Sequence, residues 1–102
     1  MDAWLIAYDI SDDKLGTKTA NRLIYTGLLR VQFSVFMGTV ADKDLADFMA
    51  WFKVKILTLA ENSDCSLIIV PMSVGNIKAT VALGTKKLDY DELTGEKHTL
   101  II

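Results

Sequence analysis

The sequence predicts an α+β fold, a ferredoxin-like βαββαβ sandwich with an extra C-terminal strand, and three observations lead to it. Residues 3–10 (AWLIAYDI) and 65–72 (CSLIIVPM) are short runs apolar on both faces, the pattern of strands inside a sheet. Residues 42–60 place Leu45, Phe48, Met49, Phe52, Ile56 and Leu59 at the i, i+3, i+4, i+7 spacing of an amphipathic helix. Residues 28–40 (LLRVQFSVFMGTV) alternate with period two, as strands do. With a helix over residues 13–26, the order is strand, helix, strand, strand, helix, strand. Two βαβ-like halves with right-handed crossovers then lay both helices on one sheet face and leave the other bare.

Each element has a local reason. In the first strand Trp4, Ile6, Tyr8 and Ile10 fall on one face and Ala3, Leu5, Ala7 and Asp9 on the other. The bulkier set suits the space under the helices, which puts Asp9 on the uncovered face. Ser11, Asp12 and Asp13 offer helix-start chemistry, because short polar side chains cap free N–H groups and acids suit the positive end of the helix dipole. The helix that follows carries Leu15, Leu23 and Ile24, and Gly27 suits its stop. Residues 28–40 read as one long strand, or two broken by a sharp turn, with Gly38 at a bulge or bend. Their alternation puts Arg30, Gln32, Ser34 and Phe36 on a semi-polar face and sends Val31, Phe33 and Val35 to the core. Asp42 is placed to cap the second helix. Ile77, Ala79, Val81 and Leu83 alternate as an edge strand would over residues 76–83. A charged, turn-rich stretch follows, and HTLII (98–102) ends the sequence with apolar residues that need cover. Residues 1–83 are thus expected to form the domain, and 84–102 a tail that folds back or packs on a second copy.

Composition narrows the function classes. A chain of 102 residues suits one domain, and 51% hydrophobic residues argue against disorder. Cys65 is the sole cysteine, so no internal disulfide forms and a reducing compartment fits. No basic leader and no apolar run of ~20 residues is present, so a soluble cytoplasmic protein is expected, with no membrane role. The net charge of −2 argues against coating nucleic acid by bulk electrostatics. Any nucleic-acid role needs a local basic patch or a basic partner.

The bare face directs attention to Asp9. An apolar sheet face invites a partner, and a two-fold homodimer sets the same patch against itself. Two copies of Asp9 then approach each other, and a hard cation such as Mg²⁺ accepts one or two carboxylates plus waters. Asp12 and Asp13 read as helix-start residues. Lys14, Lys18 and Arg22, four apart, share one helix face that can grip phosphate or simply be solvated. Arg30, a strand-borne guanidinium, also suits phosphate. Cys65 reads as core packing and His98 as a surface residue. The sequence has no glycine-rich phosphate loop, zinc spacing or nucleophile motif.

These residues add up to a resemblance. YDISDDK after an apolar strand, then a helix, then RVQFSVF leading into a second helix, is similar to the CRISPR-associated protein 2 family over residues 3–83. That family is the small subunit of the spacer-acquisition machinery, also described as an endoribonuclease. The resemblance implies a ferredoxin-like homodimer with sheets face to face, a final strand packed on the partner, and Asp9 of YDI as the metal-binding acid with Mg²⁺ shared between subunits. By position in RVQFSVF it links Arg30, Ser34 and Phe36 to nuclease activity. It implies that a dimer bridges two dimers of the CRISPR-associated integrase, protein 1, and helps hold duplex prespacer DNA, with Lys14, Lys18 and Arg22 on phosphate. Single-stranded RNA is the other substrate it implies. Members often start the first helix with several arginines. Here DDKLGTKTANRL carries three cations, and a dimer has a net charge of −4, twice that of one chain, so the integrase is expected to supply most cationic surface. A metal-dependent endonuclease and a scaffold with an idle metal site are the two readings. A toxin-type ribonuclease of the virulence-associated protein D kind, or a non-catalytic ligand-binding module, uses the same architecture.

Overall fold

Both edges of the strand β1 (Asp2–Ile10) are paired. A computed structural model describes residues 2–85 and 87–95. After β1 come α1 (Asp13–Tyr25), β2 (Leu29–Gln32), β3 (Val35–Val40), α2 (Asp42–Ile56), β4 (Cys65–Met72), α3 (Val74–Ala79) and α4 (Tyr90–Thr94). The sheet order is β2-β3-β1-β4 with every neighbouring pair antiparallel, the order of a split βαβ sandwich. The ferredoxin-like α+β class expected from the sequence is the class observed.

The main core lies between the sheet and α1 and α2. Ile6 sits opposite Phe36 on one side and Ile69 on the other. Above them pack Ala20 and Leu23 of α1 and Leu45, Phe48 and Phe52 of α2. Asp12 caps α1, its carboxylate accepting the Leu15 N–H at 2.8 Å, and Asp13 opens the first turn. Gly27 follows the helix with φ 98°, a left-handed conformation that a Cβ would strain. Gly38, at φ 142°, stands directly across from Trp4, so the residue opposite the indole has no side chain of its own.

Four expectations need correction. Residues 28–40 make two strands, the broken form of the two expected, but the turn at Phe33–Ser34 together with a register irregularity between Arg30 and Gln32 inverts the expected faces. Phe36 is fully buried under the helices, whereas Val31 packs on the opposite face. Phe33, expected in the core, is 84% exposed at the turn. Second, α2 ends at Ile56, and i→i+3 bonds from Leu57, Thr58 and Leu59 tighten the chain after it. Its N-cap is Ala41, with Asp42 already the first helical residue and no side-chain cap formed. Third, residues 76–83 are not an edge strand. Ser73 accepts the Asn76 N–H at 3.0 Å and starts α3, which ends at Ala79. Fourth, the face away from α1 and α2 is partly covered by the chain's own C-terminal segment. Ile77 of α3 and Leu93 of α4 are buried there against Ala3 and Met37, and the Tyr90 hydroxyl donates to the Thr80 carbonyl. The HTLII stretch, His98 included, lies outside the described residues.

Two substitutions on the helix side should act in opposite directions. Phe48→Ala removes a buried ring and is expected to cost about 3–5 kcal/mol in urea unfolding. Thr19 is buried on α1, and its hydroxyl has no hydrogen-bond partner among the described residues. Thr19→Val keeps the shape and removes that burden, so the urea midpoint should stay level or rise.

Candidate functional site

Pairing carries β1 as far as Ile10, so the strand's last residues are fixed in direction although they reach the molecule's edge. Asp9 is opposite Ser66, and Ile10 opposite Cys65. The Asp9 side chain is exposed and lines a cleft of about 440 Å³. One wall is α1 from its first turn onward, through Asp13, Thr17 and Asn21; the other is the β2–β3 hairpin, through Arg30, Phe33 and Ser34. The site is therefore set where a central strand, a helix N-terminus and a hairpin turn converge.

The turn is held by Arg30. Its Nε donates to the Phe33 carbonyl at 2.8 Å, and Nη2 donates to the same oxygen. The guanidinium lies 4.8 Å from the Phe33 ring centroid and 5.5 Å from that of Phe36. Phe36 in turn stacks near Tyr8, with centroids 6.2 Å apart and planes 22° from parallel. A layered column of Tyr8, Phe36, Arg30 and Phe33 thus runs from the core to the cleft mouth. Cation–π attraction and two donors on one carbonyl fix its outer end. The Ser34 carbonyl accepts the Tyr8 N–H at 3.1 Å, which ties the turn to β1 beside Asp9.

The residues singled out in the sequence thus separate into two groups. Asp9, Arg30 and Ser34 meet at the cleft, with Phe36 buried behind Arg30. Lys14, Lys18 and Arg22 occupy a different face of α1 from the cleft residues, and Arg22 sits 4.8 Å over the Trp51 ring of α2. Cys65 packs against the helix-side core, as expected, and burial pushes its thiol pKa up. Phe33 and Asn21 were not foreseen as site residues. Asn21 sits four residues after Thr17 on one helix face, a spacing visible in the sequence, whereas nothing there separates Phe33 from a core aromatic.

Comparisons with known proteins place the chain in a family. The family model described as CRISPR associated protein Cas2 matches residues 1–79. A CRISPR-associated endoribonuclease Cas2 2 from Synechocystis sp. is 41% identical over 63 residues, which cover 62% of this chain and 67% of that protein. The protein of the same name from Pyrobaculum aerophilum is 35% identical over 63 residues, with the same coverage. A CRISPR-associated endoribonuclease Cas2 1 from Methanospirillum hungatei is 34% identical over 68 residues, covering 60% of this chain and 72% of its own. The crystal structure of a hypothetical protein from Thermus thermophilus superposes with a TM-score of 0.60 at 29% identity, covering 85% of this chain and 95% of the other. With a family model spanning most of its length and relatives sharing a third or more of their aligned residues, the chain belongs to the CRISPR associated protein Cas2 family.

Proposed function

We propose that two copies of this chain join through the sheet face opposite α1 and α2, bring their Asp9 carboxylates around a divalent cation, and act as a metal-dependent endonuclease subunit of CRISPR spacer acquisition. The observation behind this reading is Asp9, an exposed carboxylate at the end of a strand paired on both sides, on the wall of a cleft. The relatives named as endoribonucleases support RNA phosphodiester hydrolysis as the reaction, with DNA as the other substrate.

A second copy is supported by the apolar surface that remains. Ile68 of β4 is 55% exposed on the helix-free face, and Val81 and Leu83 are also exposed. Unpartnered apolar surface of this kind favours a self-complementary two-fold contact. Among the described residues of one chain, no three His, Cys, Asp or Glu side chains gather as a cation site. Mg²⁺ suits so sparse a donor set, since it keeps most of its waters and takes one or two carboxylates. When bound, such an ion polarises a phosphate and makes water a stronger acid. The chain's own residues do the rest: Asp9 presents oxygen donors, Ser34 offers a hydroxyl on the facing wall, and Arg30 fixes the turn that carries it. Phe36, being buried, acts on the site only by positioning Arg30.

A second role is favoured by Lys14 and Lys18, which are exposed on one face of α1, away from the acidic cleft. Doubled in a dimer, they would rest on the phosphates of duplex prespacer DNA while the subunit bridges dimers of the CRISPR-associated integrase.

Asp9→Asn should abolish cleavage of RNA and DNA in Mg²⁺, matching wild type in chelator, while sedimentation still shows a dimer. Cleavage by the variant equal to wild type would end the nuclease reading. Integration assays with the integrase should be unchanged in Asp9→Asn. The double variant Lys14→Gln, Lys18→Gln should bind duplex DNA more weakly and with a shallower dependence on salt, measured by fluorescence anisotropy.

A further inference from the structure

We propose that Phe33 is the stacking platform for an unpaired base of single-stranded nucleic acid entering the cleft beside Asp9; this rests on the nuclease reading above and names how that site would hold its substrate. At 84% exposure, the Phe33 ring gains little from burial, so the hydrophobic effect does not explain its presence at the turn. Yet the ring is not loose. Arg30 covers one side of it, and its Nε and Nη2 both donate to the Phe33 carbonyl. An aromatic ring fixed in orientation, one side backed by a guanidinium and most of its surface in water, is preorganised for a second planar group.

The surroundings select what that group is. The cleft beside the ring is lined by two carboxylates, Asp9 and Asp13, with the Arg30 guanidinium, the Asn21 amide and the Ser34 hydroxyl. The Arg30 guanidinium is turned to the Phe33 ring and carbonyl, so the rest of the lining beside the ring offers hydrogen-bond acceptors and an amide rather than a cradle for an anion. A nucleobase is neutral, flat and edged with N–H donors that these acceptors can take. Stacking on an aromatic side chain is how proteins hold unpaired bases without reading much sequence. The base would occupy the cleft at Phe33, leaving the attached backbone phosphate at the rim, near the Asp9 end. Duplex nucleic acid, whose bases are already stacked, could not use this platform.

The test uses the intact chain, its oligomeric state followed by sedimentation, with a short single-stranded RNA carrying one 2-aminopurine, in chelator so that nothing is cut. Wild type should quench the fluorophore on binding. Phe33→Ala should lose the quenching and bind about tenfold or more weakly. Phe33→Trp should restore both. In Mg²⁺, Phe33→Ala should raise KM with kcat nearly unchanged, and duplex binding should not move. Three results would overturn the inference: unaltered binding and quenching in Phe33→Ala; weakening matched by loss of the dimer in sedimentation, which would make Phe33 an interface residue; or no rescue by Phe33→Trp. If wild type itself neither binds nor cuts single strands, the nuclease reading fails with it. If wild type cuts and Phe33→Ala has the same KM, only the stacking platform fails.

Discussion

Strand β1 is hydrogen-bonded on both edges and packed on both faces, and the rest of the molecule is arranged by that constraint. On one face Trp4, Ile6, Tyr8 and Ile10 meet the core under α1 and α2, while on the other Ala3 and Leu5 meet Met37, α3 and α4. A strand enclosed in this way has little freedom to slide, since a one-residue slip would exchange its two sets of side chains. The carboxylate of Asp9 is therefore placed by the packing of residues well away from it. A polar residue at the outgoing end of such a strand meets water without breaking the core, and it is held as firmly as the strand.

The C-terminal segment gives the second sheet face a mixed character. Ile77 and Leu93 cover it over Ala3 and Met37, yet Ile68 on the outer strand β4 stays open. The sheet is thus covered twice by its own chain, but unequally. The exposed part lies toward β4, whose outer edge has no strand partner among the described residues. An open edge beside open apolar residues leaves that side of the face the less protected by the chain itself.

How much of this was legible depends on which physical signal each segment carries. β1 and β4 could be read because two-sided apolar runs have few other solutions, and α1 because Asp12 supplies its cap. The pair of strands in residues 28–40 was one of two open readings, but its turning point could not be placed, since QFSV contains no glycine, proline or asparagine to mark a turn. Period two was carried straight through it, and the faces of Arg30 and Phe36 came out inverted. The same period two misled at residues 76–83, where Ser73 was an unread N-cap signal and Ile77 is the buried side of a short helix. Asp9 was singled out because a lone acid after apolar residues is conspicuous, and the fold sets it on the cleft. Phe33 was hidden because exposure of an aromatic residue at a turn is a tertiary fact.

The inverted face changes what the RVQFSVF segment is for. On an uncovered sheet face, Arg30, Ser34 and Phe36 would each have reached a ligand separately. As folded, they form a relay. Phe36 is anchored between Ile6 and Tyr8, Arg30 lies on Phe36, and Arg30 grips the carbonyl of Phe33. Ser34 follows in the same turn and is bonded through its carbonyl to the backbone of Tyr8, one residue before Asp9. Core packing thus reaches the cleft through one cation and one hydrogen-bonded turn. The opposing walls of the site, Asp9 on β1 and the turn across from it, hold a common spacing because both are tied to Tyr8, one through the chain and the other through the Ser34 carbonyl.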